Sequence, residues 1–99
     1  MNQPPIILLP EDNPAILEMV SDPTIAQVVA DDEEDDTLSF GWFVPNSPNL
    51  VPLTKKEPAF WVSTLAVPLS AVRDGDTITV IVGDTANHNE TVDFDVVLP

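Results

Sequence analysis

Asp36-Thr37-Leu38-Ser39-Phe40-Gly41-Trp42 runs from an acidic turn straight into a strand. Its alternate positions Leu38, Phe40, Trp42 and Val44 are apolar. Side chains in a strand point to opposite faces with period two, so these four share one buried face. A large ring at the third position suits a core in which two sheets close over a central aromatic. Trp42 is therefore read as structural, and its replacement by Ala is expected to cost roughly 3–5 kcal/mol if the ring is fully buried.

Working outward, eleven prolines and three glycines punctuate short apolar runs, the pattern of many strands joined by turns. Residues 6–9 form a first strand and residues 15–20 a second apolar piece opened by Asn13-Pro14. Residues 24–30 form a strand with two possible inward sets, Ala26/Val28/Ala30 or Ile25/Gln27/Val29, and a bulge there would satisfy both. Residues 45–58 read as a long irregular connection with a short edge strand at 50–53. In the strand at 60–67, Leu65 and Val67 share a face with Leu69, and Pro68 places that strand at an edge or at its end. Residues 70–72 fit a tight turn, and Asp74-Gly75-Asp76 makes another in which Gly75 tolerates positive φ.

The last two strands have the cleanest alternation. Residues 77–82 bury Ile78, Val80 and Val82; residues 92–98 bury Val92, Phe94, Val96 and Leu98, with Asp93 and Asp95 facing water. No segment has a helical period. About seven strands at this spacing read as an all-β antiparallel sandwich.

The 99 residues suit one domain. The expected division is a linker at 1–5, Asn2-Gln3-Pro4-Pro5 being its core, and a single sandwich at 6–99. Met1 reads as a start residue added to a domain excised from a longer chain, and the first residues do not form a signal peptide. The apolar share of 43% lies near the globular average. No cysteine is present, which removes disulfides, thiolate metal sites and cysteine nucleophiles. Seventeen acids face only Lys55, Lys56 and Arg73, a formal net charge of −14. That balance argues against nucleic acid as a partner and against an anionic membrane, both of which need basic patches. No run is apolar enough for membrane insertion. Cations, basic partners and a saline setting that screens the repulsion all fit it.

The segment 36–42 resembles the D-T-L-x-Y/F-x-W stretch of bacterial immunoglobulin-like surface modules, including the PKD-type and cadherin-like β-sandwich repeats. Residues 73–80, followed by Gly83-Asp84, are similar to the D-G-D-x-I-T-V…D segment before the last two strands of those modules. The opening Asn-Gln-Pro-Pro resembles their repeat linkers. Asp32-Glu33-Glu34-Asp35 departs from the pattern, because the usual acidic turn carries Pro and Gly. The resemblance implies an antiparallel immunoglobulin-like sandwich in a larger extracellular or cell-envelope protein. It further implies a non-catalytic spacer or adhesion module, with the neighbouring domains of the parent chain as partners and Ca²⁺ near strand ends and linkers.

Six consecutive carboxylates, residues 31–36, offer the hard oxygens that Ca²⁺ prefers. Asp31, Asp32 and Asp36 of this run are candidate metal ligands; the resemblance, with Ca²⁺ near strand ends and linkers, implies Asn2, Asp36 and Asp84 as well, and the competing reading is a solvated acidic turn. An EF-hand is excluded, since position six from Asp31 is Asp36 and position twelve is Trp42. No cofactor is otherwise expected. His88 is the only histidine, and a lone imidazole cannot build a zinc site without further ligands. Solvated carboxylates with nothing to separate their pKa values make a glycosidase a poor fit. Phe43, Phe60 and Trp61 are not assigned to the core faces. They either pack beneath the 45–58 connection or form an aromatic surface for a glycan or surface protein. The chain is thus read as a non-enzyme: a spacer or adhesion module, or alternatively a ligand-binding module built on residues 45–61.

Overall fold

The computed structural model describes residues 3–32 and 37–99. Among them are eight strands: β1 (Ile6–Leu9), β2 (Ala15–Glu18), β3 (Thr24–Asp31), β4 (Ser39–Phe43), β5 (Leu53–Lys56), β6 (Trp61–Val67), β7 (Thr77–Gly83) and β8 (Asn89–Val97). They form two four-stranded sheets, β1-β3-β6-β5 and β2-β8-β7-β4. β1-β3-β6-β5 facing β8-β7-β4 is the strand order of an immunoglobulin-type sandwich, and β2 extends the second sheet beside β8. The described residues thus hold eight strands where about seven were expected. One pairing is parallel, β2 against β8 with Ala15 opposite Phe94, and the others are antiparallel.

The period-two pattern is realised most fully in β7 and β8. Ile78, Val80, Val82, Val92, Phe94 and Val96 all point inward and are buried. Ala26, Val28, Ala30, Ser63, Leu65 and Val67 meet them from the other sheet. In β3 the inward set is therefore Ala26/Val28/Ala30. Its registry defect lies in the partner strand: Ile7 opposes Ala30 and Leu9 opposes Val29, so Leu8 is the extra residue. Val29, on the outer side, is still only 6% exposed.

Leu38 and Val44 are buried at either end of β4, while Phe40 and Trp42 pack against the core partly buried. Trp42 is thus less enclosed than expected, because β4 is an edge strand. Its ring stacks on Phe94, 6.1 Å between centroids and 11° between planes. The short edge strand lies at Leu53–Lys56 rather than 50–53; Leu50 instead packs against the core from the connection. Pro68 ends β6, which is an inner strand, and Leu69 enters a 3₁₀ turn (Leu69–Ala71) rather than continuing the buried face.

Pro14 has no N–H to give to a ladder. Asn13 compensates: its side-chain Nδ2 donates to Thr91 O and its Oδ1 accepts Asp93 N–H, both at 2.9 Å. The amide side chain so prolongs the β2–β8 pairing by one rung.

Candidate functional site

The outer face of the β2-β8-β7-β4 sheet carries the most developed surface feature. Phe43 opposes Thr79, which opposes Asp93; Thr77 opposes Asp95 in the next row. The Thr79 hydroxyl donates to Asp93 Oδ1 at 2.9 Å and the Thr77 hydroxyl to Asp95 Oδ1 at 3.3 Å. Opposed threonine–aspartate pairs of this kind stabilise a sheet face and fix the carboxylates in position. Phe43 is 58% exposed. Its ring leans over Gly41, where a Cβ would meet Phe43 Cε2 at 3.4 Å.

Beside this row lies a groove of about 410 Å³, lined by Trp42, Phe43, Pro45 and Pro48 from β4 and the turn after it, and by Thr77 and Thr79 from β7. Asn46 holds that turn with φ of 61°, and the Ser47 hydroxyl fastens it to Ala71 O at 3.2 Å. An apolar wall facing fixed hydroxyls and carboxylates can bind and orient a ligand. Its two hydroxyls are held on the Asp93 and Asp95 carboxylates, so the polar side of the groove is fixed in orientation.

The three aromatics expected on a common surface are divided by the fold. Phe43 stands at the end of β4, while Phe60 and Trp61 stand at the start of β6, at the opposite pole. Phe60 O accepts Glu57 N–H at 2.8 Å and closes the β5–β6 turn. Trp61 packs partly against the core, and Lys56 Nζ lies 5.8 Å from its ring centroid, within cation–π range.

Asn2 and Asp36 lie outside the described residues, as do residues 33–35 of the acidic run. Asp31 ends β3 and its Oδ1 accepts Asp32 N–H at 2.8 Å; Asp32 itself is buried. Asp84 organises its own loop. Oδ1 accepts the N–H groups of Ala86 and His88, each at 2.9 Å, and Oδ2 lies 3.2 Å from His88 Nδ1. Its side chain is fully covered. Desolvation pushes its pKa up, but the hydrogen bonds from His88 N–H, the His88 ring and Ala86 N–H outweigh it and hold the carboxyl below the usual 3.8. Asn87, with φ of 69°, makes the turn that aims those donors. Among the described residues no three His, Cys, Asp or Glu side chains gather to hold a metal ion. Those residues alone do not build the Ca²⁺ site that the resemblance implies.

Sequence reasoning missed Thr77 and Thr79 as site residues, held Pro45 and Pro48 only as part of the 45–61 connection, and took Asp93 and Asp95 as merely solvated. The signal was present: Thr77/Thr79 and Asp93/Asp95 are each spaced by two on the outer faces of consecutive strands.

No protein-family model matches the chain, and no curated protein does. Solved structures share its fold. The GspB Siglec domain superposes with a TM-score of 0.66 at 11% identity, covering 98% of this chain and 59% of that one. The N-terminal Ig1-2 module of the Drosophila receptor protein tyrosine phosphatase DLAR superposes with a TM-score of 0.54 at 14% identity, covering 98% and 50%. The chain thus spans between half and three-fifths of the length of these structures. At such identities the likeness establishes the immunoglobulin-like sandwich alone.

Proposed function

We propose that this chain is a non-catalytic spacer or adhesion module of a larger extracellular or cell-envelope protein. The carrying observation is the placement of its first and last strands. β1 begins opposite Asp31, at the pole where β3 ends. β8 ends at the other pole, where Met19 N–H bonds Val97 O and Leu98 N–H bonds Asp74 Oδ1. The chain therefore traverses the long axis of a body measuring 44 × 21 × 21 Å. Copies or neighbours joined through such poles extend in line, and a Pro-Pro linker favours extension over collapse. No described helix is long and apolar enough to cross a membrane.

Small-angle scattering on a tandem of two copies joined through Gln3-Pro4-Pro5 tests this. A maximum dimension near twice the 44 Å axis supports the spacer. A side-by-side pair no longer than one copy overturns it.

Calcium belongs to this reading as a finer element, with Asp31, Asp32 and Asp36 as its ligands. A melting temperature that rises with Ca²⁺, but not with Mg²⁺ or NaCl at matched ionic strength, supports it. An equal rise with all three salts means screening of the −14 charge and removes calcium from the proposal.

A further inference from the structure

A sheet edge presents unpaired N–H and C=O groups, and natural proteins guard such edges with charge, proline, bulges or short length. The two sheets here have four edge strands, β1, β5, β2 and β4. β1 carries the Leu8 bulge between Pro5 and Pro10. β5 carries Lys55 and Lys56 between Pro52 and Pro58, and β2 is four residues long behind Pro14. β4 has none of these devices. Its five residues, Ser39–Phe43, include no proline and no charge, and they pair with β7 without a register break. Among the described residues, no backbone hydrogen bond ties the following connection to them.

We propose that the open edge of β4, with the groove at its C-terminal end, docks an extended lysine- or arginine-bearing segment of a partner protein by strand addition. Every second residue of β4 turns its N–H and C=O away from β7, which supplies the ladder. The outward side chains of the added strand lie beside Gly41 and Phe43, on the face that carries Asp93 and Asp95. That face holds these two carboxylates and Glu18 and has no lysine or arginine: Lys55 and Lys56 belong to the other sheet, and Arg73 precedes β7 in a turn. A cationic segment is therefore the complementary occupant. A second copy brings another −14 and the same acidic face, and an anionic ligand meets the same repulsion.

This inference goes beyond the spacer reading and is tested separately from it. The probe is a synthetic peptide of about ten residues, a full strand length, alternating lysine and valine, with a glutamate–valine peptide as control. The readout is backbone amide exchange across the whole domain. The lysine peptide is expected to slow exchange at alternate positions of 39–43, and the glutamate peptide to leave it unchanged. Phe43→Lys, at an exposed position, should weaken the lysine peptide about tenfold or more, as loss of an aromatic anchor and addition of a like charge would. Asp93→Asn with Asp95→Asn should weaken it without altering the ladder. Four results overturn the proposal: equal binding of both peptides; protection on β1, β2 or β5 instead; no protection at millimolar peptide; or concentration-dependent protection of 39–43 without peptide, which assigns the edge to a second copy.

Discussion

Trp42 Nε1–H donates to Ser63 Oγ at 2.8 Å, from β4 of one sheet to β6 of the other. Ser63 is wholly buried, and its hydroxyl also lies 3.0 Å from Thr54 Oγ1. The sandwich is therefore joined across its core by a polar contact as well as by packing. Ser63 is the polar group that allows an indole to face the interior, because a buried N–H left unpaired is costly.

Ser63→Ala should destabilise the domain by about 1–3 kcal/mol, the cost of stranding a buried donor. Trp42→Phe should cost less than the sum when combined with Ser63→Ala, since both remove the same bond. Denaturant melts of the four proteins check this. Strict additivity would show that the contact contributes nothing to stability.

Asn13→Ala removes both side-chain bonds that prolong the β2–β8 ladder. A loss of about 1–2 kcal/mol is expected, with faster amide exchange at Asp93 in particular. Asn13→Asp should recover only the accepted bond to Asp93 N–H. Unchanged exchange at Asp93 in Asn13→Ala would refute the bracing role.

Asp84 gives a pH dependence with a defined sign. Its folded pKa is held below the usual 3.8, so its contribution is fully present above that value. The contribution is lost as the pH falls through the lower, folded pKa. Asp84→Asn removes that titration, so the melting temperature of the variant should fall less steeply than wild type on acidification below pH 3.8. Parallel curves would mean that Asp84 does not set the acid limb.

Gly75, with φ of 87°, has no heavy atom beyond its two chain neighbours within 4 Å of the place a Cβ would occupy. Gly75→Ala should therefore cost only the left-handed backbone preference, about 1–2 kcal/mol. Gly75→Asn should recover part of it, because Asn tolerates that conformation. A much larger loss in the melting temperature of either variant would reveal crowding that the structure does not contain.

The sequence by itself determined the two-sheet class and much of the core. Strict alternation in 77–82 and 92–98 identified the inward residues, because period two leaves a strand only one way to bury them. The same rule placed Leu38, Phe40, Trp42 and Val44 on one face, and the Asp-Gly-Asp turn chemistry placed Gly75. Tertiary structure decided what depends on neighbours. The inward face of β3 could not be read, because Ala26, Val28, Ala30 and the alternative Ile25 and Val29 are all acceptable inside. Pairing with Leu65 and Ser63 chose between them, and the bulge fell in β1, which only the register shows. Phe43 and Trp61 look equivalent as exposed aromatics in the chain. The fold sends one to an outer face beside Thr79 and the other to the far pole beneath Lys56. Asp84 and the acidic run were both candidate metal ligands, yet the Asp84 carboxylate is engaged by donors of its own loop. A local pattern specifies which side of a strand is apolar; which strands then lie beside it, and hence what a side chain touches, is fixed by long-range pairing.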